Sequence, residues 1–199
     1  MSLNTIFSKP CVISITADIN QGKSMLIYHL IKKLAEENTF NLYTYGLHVP
    51  LNHAQQVYSV EELEQIENSI IFIDELSSLF DLDNGKSKRI IEKTLRTLHH
   101  NNNILVLCGT PENFKKFISA KVEYAFFKKI MKADLINQSR MKNIVEAYRG
   151  GENGSSVLNL AIDEALFYDG RHYSKVTVPY YKEYDTKAKN EPILKKIGK

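Results

Sequence analysis

Eight residues near the N-terminus have the types and spacing needed to hold a polyphosphate. Ala17-Asp18-Ile19-Asn20-Gln21-Gly22-Lys23-Ser24 fits the phosphate-loop pattern G-x-x-x-x-G-K-[ST] (Walker A), with alanine at the first glycine position. A compact loop between a strand and a helix turns successive backbone N–H groups inward, and the helix dipole adds positive potential at the same place. Gly22 lets the backbone approach closely. Lys23 is expected to reach the β- and γ-phosphates and the Ser24 hydroxyl to ligate Mg²⁺, with Met25 closing the nucleotide-binding segment. The bland alternative is a glycine turn capped by Ser24, with Lys23 merely solvated.

A second group of residues offers acid–base chemistry. Ile70-Ile71-Phe72-Ile73 runs directly into Asp74-Glu75, so an apolar strand delivers two carboxylates at its C-terminal edge. Two acids so close are costly without a cation to offset them, which ties the pair to Mg²⁺. Asp74 is then the metal-side residue and Glu75 the group that polarises an attacking water. An acidic N-cap of the next helix is the competing reading. Together the two groups predict an ATPase using Mg-ATP.

Two further positions are candidates for sensing or completing the charge at the γ-phosphate. Thr110 follows Leu107-Cys108-Gly109 at the end of an apolar run, where a polar residue could face the phosphate; Gly109-Thr110-Pro111 could equally be a plain strand-to-turn stop. A trans-acting arginine would complete the clamp on the transition state. The chain has only five arginines, of which Arg96 is the first candidate and Arg149 the second, ahead of Arg89, Arg140 and Arg171. His99-His100 is assigned no metal role, because adjacent helical residues point about 100° apart.

The elements that must position these groups alternate along the chain. Cys11 to Thr16 reads as a buried strand, and after Lys23 the residues Leu26, Ile27, Leu30, Ile31 and Leu34 recur at helical spacing. Strands are expected at 41–45, 70–73 and 104–108, with helices over 60–66 and 87–100. Such alternation implies βαβ units, a mostly parallel sheet and helices on both of its faces. Beyond Pro111 the pattern suggests a helix over 113–120 and strands over 124–130 and 143–148. Asp169-Gly170, flanked by β-formers, predicts a hairpin between 165–168 and 172–178.

The fold class expected is therefore α/β, a P-loop core over about residues 10–150, with a β-rich extension over 151–182 in one domain of residues 1–182. Residues 183–199 read as a Lys-rich tail. Residues 175–199 carry seven lysines against Glu183, Asp185 and Glu191, a balance of +4, while the whole chain of 199 residues sums to +3. That tail could follow the phosphates of a nucleic acid or simply be a solvated end. Cys11 and Cys108 lie in apolar runs and predict no disulfide. No signal peptide or membrane-spanning stretch is evident, so a soluble, cytoplasmic protein is expected.

The order of these motifs resembles the FtsK/HerA superfamily over roughly residues 10–150: Walker A, a strand, Ile70 to Glu75, a helix carrying Arg96 and His99, and the strand from Ile104 to Cys108. Its members include DNA-pumping motors, genome-packaging ATPases of membrane-containing icosahedral viruses and zonula occludens toxin-like phage ATPases. The resemblance implies a RecA-like core of the additional-strand, catalytic-glutamate division. It further implies a homo-oligomeric ring, commonly a hexamer, that threads double-stranded DNA while ATP is hydrolysed between subunits. A viral member would work in the host cytoplasm or virion, at a capsid or membrane vertex. The family often has Gln at the end of the fourth strand, whereas this chain has Cys108-Gly109-Thr110. Rival expectations are an AAA+ or RecA-like ATPase of assembly or replication, a nucleoside or nucleotide kinase, and a nucleotide-gated binding module.

Overall fold

The computed structural model describes residues 6–37, 40–79, 85–130 and 157–184. In chain order its elements are β1 (Val12–Thr16), α1 (Lys23–Glu37), β2 (Asn41–Tyr45), β3 (Gln55–Val57), α2 (Val60–Leu63), β4 (Ser69–Ile73), α3 (Leu76–Leu79), α4 (Gly85–His100), β5 (Ile104–Gly109), α5 (Lys116–Ser119), β6 (Tyr124–Phe127), β7 (Glu164–Tyr168) and β8 (Tyr173–Thr177). Short 3₁₀ turns cover Pro111–Asn113, Val157–Asn159 and Lys182–Tyr184.

All the strands join one sheet of eight, in the order β3-β2-β4-β5-β1-β6-β7-β8. From β3 to β6 every pairing is parallel; β6–β7 and β7–β8 are antiparallel. The inner strands β1, β4 and β5 are buried along their whole length because they are covered twice. Ile70 and Phe72 of β4 join Ile13, Ile15 and Val106 on the face covered by Leu26, Ile27, Leu30, Ile31 and Leu34 of α1. Ile71 and Ile73 join Val12, Leu105 and Leu107 on the opposite face, under Ile91, Leu95 and Leu98 of α4. Alternate residues of one strand thus enter two cores, which is why 70–73 and 104–108 read as unbroken apolar runs.

Register decides where chemistry can occur. Thr16 pairs with Gly109 across β1–β5, and Ile73 pairs with Leu107 across β4–β5. The C-terminal ends of the loop-bearing strand and the carboxylate-bearing strand therefore open on the same edge, with β5 inserted between them. In an open parallel sheet that edge is where ligands bind.

Several expectations need adjustment. The 60–66 helix is a single turn ending at Leu63, capped by Ser59, whose Oγ accepts from the Glu62 amide at 3.1 Å. The helix expected over 113–120 is a 3₁₀ turn followed by the short α5. The strand expected over 124–130 ends at Phe127, one residue before the buried Lys128. β3 was not among the expected strands, and its Gln-Gln-Val sequence is held in place by pairing along the edge of β2. The Asp169-Gly170 hairpin forms as expected, with Gly170 at φ 92°. The strand expected over 143–148 and the arginines Arg140 and Arg149 lie outside the described residues. Among the described residues no helix is long and apolar enough to cross a membrane.

Candidate nucleotide site

The loop after β1 is fastened on both sides before it turns. Ala17 donates its amide to Gly109 O at 3.3 Å, and Asp18 donates to Lys129 O at 3.2 Å, so the ends of β5 and β6 grip its entry. Asn20 and Gly22 then take left-handed backbone, at φ 63° and 77°. Alternation of this kind curls peptide N–H groups toward one point. α1 begins at Lys23, and the amides of a first helical turn have no partner within the helix. Ala17 through Met25 thus gather backbone amides at a helix N-terminus, a cradle geometry of the kind that receives anions.

Lys23 lies within this cradle. It is buried, and its Nζ donates to Ala17 O at 3.3 Å and Asp18 O at 3.0 Å, both carbonyls of the loop itself. The Ser24 hydroxyl donates to Asp74 Oδ2 at 2.7 Å. That bond joins the two groups of residues singled out from the sequence, fifty positions apart in the chain. Asp74 is fixed from behind by its own amide, which donates to Tyr45 O at 2.9 Å.

Asp74 is 5% exposed, and burial raises its carboxyl above the usual range, against the opposing effect of hydrogen bonds from Ser24 and from the Cys108 thiol. Cys108 is therefore more than a small core residue. Its thiol is pushed far up by burial and by the neighbouring Asp74 charge, which keeps it protonated as a donor. A hydroxyl and a carboxylate converging on one point are hard oxygen donors of the kind Mg²⁺ takes, so the residues present fit that ion.

Glu75 is held differently. It has φ 60°, an unusual left-handed conformation for a residue with a long side chain, and such outliers gather at functional sites. Its Oε1 accepts from Ser77 Oγ at 2.8 Å and from Asn113 Nδ2 at 2.9 Å. Asn113 reaches it because the turn over Pro111–Asn113 folds back over β5, so closely that a Cβ on Gly109 would lie 3.0 Å from the Asn113 amide nitrogen.

Of the sequence candidates, Ala17 to Met25, Lys23, Ser24, Asp74 and Glu75 come together at one strand edge. Thr110 is half-buried and caps the following turn with no side-chain bond, and the polar group from this end of β5 that meets Glu75 is Asn113. Arg96 is exposed on α4. Asn113, Ser77 and Cys108 had no motif to announce them. Asn113 had one usable signal, a polar side chain one short turn beyond an apolar strand that ends in Gly-Thr-Pro.

A doubly covered parallel sheet, a phosphate cradle on its first strand and an acidic pair across an inserted strand define the P-loop ATPase fold. Solved structures with this fold include the DNA-packaging ATPase B204 from Sulfolobus Turreted Icosahedral Virus, with a TM-score of 0.62 and 14% identity over 86% of this chain and 99% of that one. The genome packaging NTPase B204 from Sulfolobus turreted icosahedral virus 2, in complex with sulfate, matches with a TM-score of 0.59 and 15% identity over 86% and 98% of the two chains. The pCW3 conjugation coupling protein TcpA matches with a TM-score of 0.60 and 16% identity over 97% of this chain and 66% of that one. At these identities the likeness is one of fold. No family model matches the chain, and no curated protein sequence does either.

Proposed function

We propose that the chain is a Mg-dependent ATPase that acts as an oligomeric motor on double-stranded DNA, of the genome-packaging kind. The observation that carries the hydrolytic reading is the 2.7 Å bond from Ser24 to Asp74, which sets the phosphate cradle and the acidic pair at one edge. A structural glycine turn has no need of a buried carboxylate at that place.

In this reading the loop amides and Lys23 bind the β- and γ-phosphates and orient them for in-line attack. Lys23 exchanges its loop carbonyls for phosphate oxygens, which are stronger partners because they are charged. Ser24 and Asp74 hold the metal, which when bound neutralises charge growing on the phosphate oxygens. Glu75 releases one of its two neutral donors and accepts the proton of the attacking water. Asn113, joined to Glu75 and packed on the end of β5, takes the sensing role expected of Thr110. Arg96, exposed on α4, is available to the site of an adjacent subunit and is the candidate trans-acting arginine.

The DNA part is supported by the likeness to proteins described as packaging and conjugation machines and by the lysines of residues 175–199. Phosphate release by the full chain, measured with and without linear duplex DNA and beside a size measurement in ATP, tests both parts. The expected result is release that duplex stimulates, less so as salt rises, with assembly in ATP. No release removes the ATPase reading; release that ignores duplex removes the motor; phosphate transfer to a nucleoside would establish a kinase.

A further inference from the structure

A second lysine lies beneath the phosphate loop, and no motif accounts for it. Lys128 follows the apolar strand Tyr124–Phe127 and is fully buried, while its neighbour Lys129 is exposed. The backbone fixes its place: the Lys128 amide donates to Thr16 O at 3.0 Å, and the Lys129 carbonyl takes the Asp18 amide. Its side chain then runs under the loop. A Cβ added to Gly22 would lie 3.3 Å from Lys128 Cε and 3.4 Å from Nζ, so the ammonium packs directly against the glycine that precedes Lys23.

What holds the ammonium there is weak for a buried charge. Among the described residues its one hydrogen-bond partner is a neutral group, Ile162 O at 2.6 Å, in the connection between β6 and β7. Of the charged groups on the elements around it, Asp163 on that connection draws its titration upward, and the others are Asp18 and Lys23 of the loop and the adjacent Lys129. A lysine left inside a fold with a neutral partner is costly unless something else needs its charge. The nearest structure built to receive an anion is the loop it supports.

We infer that Lys128 is a positioning cation of the phosphate loop: held beneath Gly22 by the Ile162 carbonyl, it presents a second positive charge, after Lys23, to a triphosphate seated in the cradle. This rests on the nucleotide reading of the loop. It gives the absent first glycine and the scarcity of arginine a counterpart, because charge is supplied from within the subunit by a lysine that no sequence pattern marks. It also ties the β6–β7 connection to nucleotide occupancy, since the ammonium that feels the phosphates is the one that grips Ile162.

Burial lowers the Lys128 ammonium to about 8, so part of the population is neutral in mildly alkaline solution. A bound polyphosphate favours the charged form, and binding above that pH must therefore take up a proton. The test is calorimetric titration of the full chain with ATPγS at pH 7.5 and 9, in buffers of different ionisation heat. The parent is expected to bind about fourfold more weakly at pH 9 than at pH 7.5 and to take up about half a proton per nucleotide there. Lys128→Met should weaken binding at pH 7.5 by about tenfold and lose both the pH slope and the proton uptake, whereas Lys128→Arg should bind with a flat profile. A merely structural lysine would move none of these proton counts. A parent with flat affinity and no proton uptake overturns the inference, as does Lys128→Met with the parent's slope. If Lys128→Met does not fold, the parent and Lys128→Arg decide it by the same criteria. Lys23→Ala serves as the reference: binding lost there and untouched in Lys128→Met overturns only the role of Lys128, while a parent that binds no nucleotide overturns the loop reading with it.

Discussion

The side-chain amide of Asn113 donates to Oε1 of Glu75 at 2.9 Å, from a turn that has folded back over the end of the neighbouring strand. The same oxygen also accepts from Ser77. A glutamate that is to take a proton from water must have an oxygen directed at that water, and two donors on one oxygen compete with this. In the proposed mechanism these bonds hold Glu75 back, and release of the Asn113 amide would couple the end of β5 to hydrolysis.

Asn113→Ala should therefore raise the ATPase rate measured without DNA, by up to about thirtyfold if the bond to the carboxylate contributes about 2 kcal/mol. Stimulation by duplex should shrink accordingly. Gly109→Ala should produce the same phenotype from the other side, because its Cβ would lie 3.0 Å from both Cβ and Nδ2 of Asn113 and force that side chain away. Steady-state rates with saturating ATP, with and without duplex, check this. A rate for Asn113→Ala as low as that of a Glu75 variant would mean that the amide positions the glutamate for reaction.

Glu75→Gln and Lys23→Ala should separate hydrolysis from binding. Glutamine keeps the shape and the acceptor oxygen for Asn113 and Ser77 but cannot take a proton. Turnover should fall by on the order of a hundredfold or more, with ATPγS affinity within about threefold of the parent. Lys23→Ala should instead lose affinity, because its ammonium is the charged donor inside the cradle. Single-turnover hydrolysis beside equilibrium binding distinguishes the two, and parent-rate hydrolysis by Glu75→Gln would remove it from the mechanism.

The parts of the structure legible in the sequence are those where one physical signal dominates. β1, β4 and β5 show as apolar-rich runs because both of their faces are buried, and α1 shows its stripe because only one of its faces is. The cradle was legible because its chemistry requires fixed residue types at fixed spacing. β3 was not, since only Val57 of Gln55–Val57 is buried and its place depends on an edge supplied by β2. The three asparagines after α4 carry no apolar pattern, yet Asn103 is fully buried, accepting from the Ser69 amide and donating to Ile66 O, and so docks the approach to β4. Asn113 and Lys128 share the same difficulty. Their partners are thirty-four or more positions away, and a single polar residue carries no periodicity by which to infer such a contact.

Asp74→Asn should make the nucleotide-free protein more stable while abolishing hydrolysis. Burial raises the folded-state pKa of Asp74 above its unfolded value, so the carboxylate is disfavoured by folding. Its cost is absent at pH below the unfolded value, grows as pH rises between the unfolded and folded values, and is fully present above the folded one. The neutral amide escapes that cost and can still accept from Ser24. The melting temperature of Asp74→Asn should exceed that of the parent at pH 7.5, with the gain disappearing as pH falls to the range where Asp74 is protonated. A variant less stable than the parent at neutral pH would show that the bonds from Ser24 and Cys108 outweigh desolvation.

Tyr184→Ala should separate stability from nucleotide affinity. The chain after β8 lies over α1, where the Tyr184 ring stacks on Tyr28 with centroids 4.3 Å apart and the Tyr181 hydroxyl meets His29 Nδ1 at 2.9 Å. Lys32 adds a cation 4.9 Å from the Tyr181 ring centre, so two successive turns of the helix are engaged. Tyr28 is almost fully buried, and removal of its stacking partner would wet a large aromatic surface. The expected loss is about 1–3 kcal/mol in urea unfolding. The contact covers the helix beyond its first turn, and the cradle is fastened independently by Gly109 and Lys129, so ATPγS affinity should change by less than about threefold. A loss of affinity as large as that of Lys23→Ala would instead make this C-terminal segment part of the nucleotide site.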